Sequence, residues 1–343
     1  MVKAFARPRT TSKFSPLWLV PAAAAAIGVW LYAENNARRI IHPGFPEMIA
    51  AARVVQSASL ILRTEKQARG LLQPPDIDPN RTGMIGSEYT SITTTLGDIG
   101  SKRTATNPDI AALFVRLLAT LELRRGTPVV IVTSGSFAGG NIAAIAAAEA
   151  LGLRPMIITS LGSSMYGAND PDFNWLDMLA LLRAKGVVQS SAIAAVVGGE
   201  SATGSSMEPE GLAALRATAA RHNVPLIEKR PLSVLVDALM ESIARNLGPN
   251  VHTGAVINVG GALIGLGTCK ESYELPPGIL KGVACHEGTP GLAFRLAESG
   301  LPMLNVINFR RLAIEYGLPF DPSPLPMPGD NRAVYGSARN NPN

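Results

Sequence analysis

A short run of hydroxyl-bearing and glycine residues is the first candidate for chemistry. Ser134, Gly135 and Ser136 follow the apolar run 128–133 and precede an alanine-rich helical pattern that contains Asn141. Backbone N–H groups are unpaired where a helix begins, and the helix dipole is positive there. Such a position favours an anion, so the segment predicts a binding site for a phosphate or a carboxylate.

The usual nucleotide and nucleophile signatures are missing from this segment. No lysine follows the glycines as in a Walker loop, the GxGxxG spacing is absent, and Ala138 breaks the GxSxG spacing around Ser136. Three interpretations of Ser136 stay open. It binds an anion or caps the helix, it only shapes the turn, or it is a catalytic nucleophile with His252 or His286 as its base.

Two further sets of residues are expected to line the same site. One set follows the apolar run 155–160. The other lies in the polar segment 73–107, which lacks regular periodicity. A solvated loop is the alternative for that segment, although so long a polar loop is uncommon unless it has a function. The candidate ligand-binding residues are Gly162, Ser163, Ser164, Asn169 and Asp170 in the first group, and Glu88, Thr93, Thr94, Thr95, Lys102 and Arg103 in the second.

Three aspartates at 170–177 do not predict a metal site. Asp170, Asp172 and Asp177 lie close together, but Asp172 or Asn174 is expected to cap the next helix. No suitably spaced histidine joins them. We therefore expect no metal and no cofactor.

The chain has two cysteines, Cys269 and Cys285, separated by a loop that contains proline and glycine. In an oxidising compartment they would pair across that loop. Two unrelated thiols are the alternative. Without histidines at metal-ligand spacing, they do not indicate zinc.

The elements that must position these residues follow a regular alternation. From residue 107 onwards, apolar runs of strand length alternate with amphipathic helical patterns. This order predicts an α/β fold of Rossmann-like type, with a mostly parallel sheet covered by helices on both faces. The predicted strands are 128–133, 155–160, 192–197, a short strand at 224–227, 255–260 and 302–308.

Parallel strands with right-handed crossovers place every strand-to-helix loop at one edge of the sheet. Four loops rich in glycine and hydroxyl residues should therefore meet there: 134–141, 161–170, 198–206 and 260–268. Ligands of open α/β sheets bind beyond the carboxyl ends of the strands. This edge is the expected binding site.

An uncharged apolar segment near the N-terminus predicts a membrane anchor. Residues 16–33 would span about 27 Å as a helix, close to the thickness of the hydrocarbon core. Four cations precede it, so the positive-inside rule keeps the N-terminus in the cytoplasm and places the body on the periplasmic side of the inner membrane. A cleaved signal peptide and a buried helix of a cytosolic protein are the alternatives.

Charge excludes one class of function. The net charge is +5, but the first 33 residues hold four cations and no acid, which leaves 27 cations against 26 acids elsewhere. A near-neutral body lacks the basic face of a nucleic-acid-binding domain. We therefore expect no nucleic-acid partner.

These patterns divide the chain into five parts. They are a basic cytoplasmic tail (1–15), a transmembrane anchor (16–33), a helix with a polar loop (34–106), an α/β domain of one body or of two lobes divided near residue 205 (107–320), and a proline-rich, disordered tail (321–343).

Several long segments resemble one protein family. They are TGMIGSEYTSITTTLGDIGSKRTATNPDIAALFVRLL, VTSGSFAGGNIAAIAAAEALGLRP, SMYGANDPDFNWLDM and NFRRLAIEYGLPFDPSPLP. Together they are similar to the poly-gamma-glutamate system protein family over most of residues 45–330. The resemblance implies an accessory, membrane-anchored component of poly-gamma-glutamate synthesis or export. Its implied partners are an amide ligase that uses ATP and a multi-spanning membrane subunit, and it implies no catalytic residues.

Two other functions remain open from the residues alone. One is a hydrolase or transferase that acts on γ-glutamyl amides through Ser136, Ser163 or Ser164. The other is a module that binds a sugar phosphate or a nucleotide at the same loops. Hydroxyls and backbone N–H groups that converge at one edge would suit any of these ligands.

Overall fold

The computed structural model describes residues 18–36, 39–205 and 207–338. The predicted cytoplasmic tail and the first residues of the predicted anchor lie outside these ranges. Contacts divide the described chain into two units. One comprises the residues up to Ile41 together with those from Gly336 onwards, and the other is His42–Tyr335, called the body below. The body is undivided near residue 205.

The first unit contains one helix and one small sheet. Helix α1 is Leu19–Asn36, and strands β1 (Arg39–Ile41) and β8 (Gly336–Ala338) pair in antiparallel orientation. The side chains of residues 18–32 are all exposed. Residues Leu19–Tyr32 are apolar but shorter than a full membrane span.

The body contains the remaining strands and helices. Its strands are β2 Pro128–Ser134, β3 Arg154–Ser160, β4 Ala192–Val196, β5 Ala255–Val259, β6 Gly278–Leu280 and β7 Met303–Val306. Its helices are α2 Phe45–Ala68, α3 Ile99–Thr104, α4 Asp109–Ala119, α5 Ala138–Ala150, α6 Trp175–Ala184, α7 Pro209–Arg221, α8 Leu232–Leu247, α9 Leu263–Leu266, α10 Leu292–Glu298, α11 Phe309–Tyr316 and α12 Arg332–Tyr335.

The six strands of the body form one mixed sheet in the order β4-β3-β2-β5-β7-β6. All neighbours pair in parallel except β6, which runs antiparallel to β7 at the edge. The predicted α/β fold with a mostly parallel sheet is therefore confirmed. The strand order reverses between β2 and β5, because β3 and β4 lie on one side of β2 and the later strands on the other.

Helices cover both faces of the sheet. Val129 and Ile131 pack into one apolar cluster with α2, α4 and α5, while Val130 and Val132 pack into another with α8 and α10. Successive side chains of a strand point to opposite faces, so a continuous run of apolar residues is what a doubly covered strand requires. The whole of β2 is buried.

Helix α2 is long and apolar enough to cross a membrane by length and composition alone. In the body it packs against α4 and α5, and its buried side chains include Met48, Val55 and Leu62. These contacts make it a core helix of the body.

Three segments differ from the sequence-based expectations. The predicted strand at 224–227 reaches only one bridge, between Ala195 and Leu226. Strand β6 was not expected, because three residues carry no periodic signal. Residues 321–335, expected to be disordered, pack against the body through Arg103–Asp321 and Tyr335–Asp109 contacts. Composition alone cannot reveal such anchoring contacts, and the last five residues of that tail lie outside the described ranges.

Candidate functional site

An open cleft of about 1110 Å³ lies at the carboxyl ends of the parallel strands. The loops after β2, β3, β4, β5 and β7 all contribute to its lining, and part of the polar segment, from Thr94 to Lys102, completes it. The four loops predicted to meet at one edge do meet there. Parallel connections produce this convergence, since each strand ends at the same edge.

The lining divides by exposure into a floor and a rim. The floor consists of the buried side chains Lys102, Ser134, Ser160 and Ser164. The rim consists of the exposed side chains Leu96, Tyr273, Arg310 and Arg311. A ligand in the cleft would therefore meet charged and apolar groups first and hydroxyl groups at depth.

Lys102 is brought to the floor by the short helix α3. Asp98 caps this helix, because its carboxylate accepts a hydrogen bond from the Ser101 N–H at 2.8 Å. The Lys102 ammonium lies 3.9 Å from the centre of the Phe137 ring. Burial lowers the pKa of Lys102 to about 7, and the Asp98 carboxylate opposes that shift only in part.

Two hydrogen bonds fix the Lys102 amine beside the loop that follows β3. Its Nζ lies 2.6 Å from Oγ of Ser164, and it also donates to the carbonyl oxygen of Ser136. Among the described residues, no carboxylate lies within ion-pair distance of this amine. Lys102 and the Ser164 hydroxyl therefore form a buried pair of an amine and an alcohol at the floor.

A second hydroxyl supports this pair. Oγ of Ser136 accepts a hydrogen bond from the Ser164 N–H at 3.0 Å, which ties the turn after β2 to the loop after β3. Gly167 allows the two segments to approach, since a Cβ there would lie 2.3 Å from Oγ of Ser163 and 2.7 Å from the Gly135 carbonyl oxygen.

The hydroxyl of Ser134 has no hydrogen-bond partner among the described residues, although it is buried. It lines the cleft at the end of β2. An unpaired buried hydroxyl costs about 1–3 kcal/mol, and native structures usually satisfy it with water or a ligand. Ser134 is thus a free donor and acceptor at the floor.

The rim is moderately basic. Arg310 lies 4.0 Å from Asp98 and stacks on the Phe320 ring at 3.9 Å, while Arg311 pairs with Glu315 at 2.6 Å. The lining contains the cationic side chains Arg310 and Arg311 and the partly protonated Lys102, against the two carboxylates Asp98 and Glu200. The two arginines make the rim, rather than the floor, the part of the cleft that favours an anionic ligand.

The cleft contains about half of the residues predicted from sequence to bind a ligand. Those that line it are Thr94, Thr95, Lys102, Ser134, Ser136, Gly162 and Ser164. Those that do not are Glu88, Thr93, Arg103, Gly135, Asn141, Ser163, Asn169 and Asp170.

The residues outside the lining hold the loops in place. Asn141 donates to the Ser134 carbonyl at 2.7 Å, and Asn169 donates to the Ser87 carbonyl and to Thr93 Oγ1. Ser163 donates to the Ser164 carbonyl at 2.9 Å. Their polar character was visible in the sequence, but their direction depends on contacts with distant segments.

Three other residues outside the lining also have hydrogen-bond partners in the protein. The Asp170 carboxylate accepts from the Asp172 N–H within a turn. Arg103 makes two hydrogen bonds to the Asp321 carboxylate. Asn174, one of the two expected caps, begins α6 in a capping box with Asp177. In the described part of the chain, no cluster of three or more potential metal ligands occurs.

Neither histidine considered as a base for Ser136 lies in the cleft. The ring of His286 pairs with Glu271 at 3.1 Å and is exposed, and His252 is also exposed. The structure therefore does not form the predicted triad of serine, histidine and acid.

The residues of the rim are not among those predicted from sequence. Arg310 and Arg311 come two and three residues after the expected strand at 302–308. Their position after a parallel strand was the available signal. The contact of Phe137 with Lys102 could not be predicted from the sequence, because it depends on how α3 packs against the turn after β2.

The loop that carries Tyr273 is closed by a disulfide. Cys269 and Cys285 are bonded, with their Cα atoms 5.4 Å apart. Of the two alternatives left open by the sequence, pairing across the loop is the one present in the structure.

No family model and no curated protein matches the chain. Two solved structures show weak similarity, both at 18% sequence identity. An archaeal alanine:glyoxylate aminotransferase aligns over 63% of this chain and 49% of its own, with a TM-score of 0.14. A single mutant of the Thermus thermophilus aspartate aminotransferase aligns over 66% and 53%, with a TM-score of 0.13. The chain spans about half the length of these enzymes, and at such scores the similarity carries no argument about function.

Proposed function

We propose that this protein is a membrane-anchored accessory component of poly-gamma-glutamate synthesis or export, and that its cleft binds a segment of the anionic polymer. The body is then a Rossmann-like domain, and the reversal of strand order between β2 and β5 supports this assignment. Ligands of such sheets bind beyond the carboxyl ends of the strands, where the cleft lies.

The observation that carries the binding proposal is the buried, unpartnered hydroxyl of Ser134. A carboxylate or amide oxygen of the ligand would accept its hydrogen bond at the floor. Arg310 and Arg311 would attract further carboxylates at the rim. A polymer with one carboxylate per residue could occupy both regions at once.

The proposed membrane attachment rests on the first unit. The apolar side chains of residues 18–32 are exposed, including Trp18, Val20 and Trp30. So large an exposed apolar surface is typical of a membrane or protein contact. Residues 16–33 would form the anchor in the inner membrane.

The disulfide between Cys269 and Cys285 supports an extracytoplasmic body, because disulfides persist in oxidising compartments. The four cations before the anchor favour the same orientation.

Binding is tested with the full chain in detergent and an oligomer of γ-linked glutamate, by isothermal titration calorimetry. We expect binding that weakens with salt, because exposed charges are screened. Replacing Ser134 with Ala should weaken binding about fivefold without lowering the free energy of unfolding, since the buried hydroxyl has no partner to lose.

A matched pair of arginines tests the role of the rim. Arg310→Ala should weaken binding about fivefold. Arg295→Ala is the control, because Arg295 is also exposed and also has a long ion pair, at 3.6 Å from Asp237, but lies outside the cleft lining. Equal effects of the two substitutions would argue against binding at the rim.

A sugar phosphate and a nucleotide serve as competitors in the same titration. Displacement of the glutamate oligomer by either compound would favour the alternative of a phosphate-binding module. The glycine- and serine-rich loops at the sheet edge support that alternative.

The proposed partners are tested by co-purification. The detergent-extracted protein should retain the ligase and the membrane subunit of poly-gamma-glutamate synthesis. Extraction of the protein without either partner, under conditions that preserve the complex of those two, would contradict the accessory role.

A further inference from the structure

The floor of the cleft contains a hydrogen-bonded amine and alcohol that ligand binding alone does not require. Lys102 Nζ lies 2.6 Å from Ser164 Oγ, and both side chains line the cleft. They are 4% and 7% exposed, so the pair is shielded from bulk water but open to a ligand in the cleft. A nucleophile and a base within hydrogen-bond distance are the minimal arrangement for covalent acyl transfer.

We propose that Ser164 is the nucleophile of an acyl-transfer reaction on an amide bond and that the neutral amine of Lys102 is its general base. The geometry favours Ser164 over Ser136. Lys102 bonds to the hydroxyl of Ser164 but only to the carbonyl oxygen of Ser136. The Ser136 hydroxyl instead accepts from the Ser164 N–H and positions the nucleophile.

A general base must be unprotonated when it acts, and the surroundings of Lys102 provide for that. The floor is buried, which disfavours the charged ammonium, whereas the face of the Phe137 ring at 3.9 Å favours it. Burial lowers the pKa of Lys102 to about 7, so a large fraction of the amine is neutral at neutral pH.

Four charged groups lie on the segments next to the floor, and Asp98 is the one that acts on the pKa of Lys102. Asp98, on the loop before α3, raises the pKa of Lys102, but its carboxylate is exposed and lies beside Arg310 of α11. Arg103 on α3 is paired with Asp321. Glu200, after β4, lines the exposed part of the cleft.

The first half of the reaction forms an ester. The Ser164 oxygen attacks the amide carbonyl carbon while Lys102 takes the hydroxyl proton and becomes an ammonium. Collapse of the tetrahedral intermediate breaks the C–N bond, and Lys102 returns that proton to the departing amine nitrogen. An acyl ester on Ser164 and a neutral Lys102 remain.

The second half restores the enzyme. Water, or the amino group of a second chain, attacks the ester while Lys102 accepts a proton from the attacking group. The C–O bond to Ser164 breaks, and the proton passes to the serine oxygen. Water yields a carboxylic acid and amine transfer yields a new amide, and neither needs an oxidant or a further cofactor.

The substrate class rests on the proposed function. An amide in a chain of carboxylate-bearing residues would place its charged groups at Arg310 and Arg311 and its backbone at the floor. A γ-glutamyl amide has this chemistry. The chemical pairing of Ser164 with Lys102 does not depend on that substrate.

The proposal is tested with the full chain in detergent and a fluorophosphonate probe, which phosphonylates activated serines. We expect a single adduct on Ser164, located by peptide mass spectrometry. The labelling rate should rise with pH through the region near 7 as Lys102 loses its proton. Ser164→Ala should abolish the adduct, and Lys102→Met should lower the rate by roughly 10²-fold.

Ser233→Ala is the matched control, because Ser233 is an exposed serine that lies outside the cleft lining. Its labelling rate should equal that of the unchanged protein. Since Lys102→Met removes a buried hydrogen-bonded group, its folding is checked by circular dichroism. Independently, the pKa of Lys102 is measured by NMR in the unchanged protein and in Ser164→Ala.

The outcomes separate this proposal from the proposed function. Binding of γ-linked glutamate without any Ser164 adduct between pH 6 and pH 9 would overturn the dyad and leave the binding function standing. If the probe forms an adduct on Ser164 but the protein neither binds nor cleaves a γ-glutamyl amide, the pair of Ser164 and Lys102 is supported and the proposed substrate is overturned. An unlabelled protein whose Lys102 has an ordinary lysine pKa would also overturn the dyad.

Discussion

The hydroxyl of Tyr335 donates a hydrogen bond to Oδ1 of Asp109 at 2.7 Å, across 226 residues of sequence. Both residues are buried, and Oδ2 of Asp109 has no partner among the described residues. The bond joins the last helix of the body to the first residue of α4. It shows how the proline-rich C-terminal segment is held on the body.

This contact predicts a pH dependence of stability. Burial raises the pKa of Asp109 from 3.8 to about 6, although the Tyr335 hydrogen bond lowers it in part. The folded protein then binds a proton more tightly than the unfolded chain, so the stabilisation from this group is present below about pH 4 and is lost as pH rises to about 6.

The measurement is the free energy of unfolding of the unchanged protein and of Asp109→Asn between pH 3 and pH 8. The difference between the two should fall across the interval from about 4 to about 6 and be level on either side. A difference that stays constant across that interval would show that Asp109 titrates normally. Tyr335→Phe, which removes the donor, should move the midpoint to higher pH.

The ion pair of Arg103 with Asp321 predicts a larger coupling energy than an exposed pair. Two hydrogen bonds of 2.6–2.7 Å join the guanidinium to the carboxylate, with the side chains 18% and 27% exposed. A double-mutant cycle with Arg103→Ala and Asp321→Ala should give about 1 kcal/mol.

The matched pair is Arg69 with Glu65, one turn apart on the surface and 45% and 31% exposed. It should give about 0.3–0.5 kcal/mol. Equal couplings in the two cycles would indicate that Asp321 does not anchor the C-terminal segment.

We predict that replacing Gly139 in α5 with alanine lowers stability, although helix propensity alone would favour alanine. Alanine is favoured over glycine by about 1 kcal/mol in a helix interior. However, a Cβ at Gly139 would lie 2.4 Å from the Ala105 carbonyl oxygen, so the backbones must separate. Gly139→Ala should therefore lower the thermal midpoint of the body, and calorimetry measures it.

Gly28 is the control for that substitution, since a Cβ there meets nothing within 4 Å. Gly28→Ala should leave the thermal midpoint of the body unchanged. Stabilisation by Gly139→Ala would mean that the contact between α5 and residues 105–106 is looser than described.

The disulfide between Cys269 and Cys285 predicts a loss of stability on reduction. The two residues are 16 positions apart, and closing a loop of this length stabilises a fold by about 3 kcal/mol. Replacing both cysteines with alanine should lower the free energy of unfolding by about that amount, measured by urea denaturation.

Reductant provides the internal control for that measurement. It should destabilise the unchanged protein and have no effect on the variant that lacks both cysteines. An unchanged protein that is insensitive to reductant at full thiol exposure would contradict a stabilising role for the bond.

The sequence by itself determined the layered architecture and the sheet edge at which the cleft lies. Buried strands must be apolar on both faces, helices must be amphipathic, and right-handed crossovers bring the loops to one edge. For that reason the runs at 128–133 and 255–260 predicted both a parallel sheet and a cleft beyond it. Periodicity could not predict β6, because that strand is too short to show a pattern.

Only the tertiary structure decided which polar residues reach the cleft. Ser134 and Asn141 both carry polar groups near the end of β2, yet one lines the cleft and the other bonds to the backbone. The pairing of Lys102 with Ser164 joins helix α3 to a loop 62 residues later in the chain. A contact between residues so far apart leaves no periodic pattern in the sequence. It depends on how the packed elements approach one another and on which polar groups become buried.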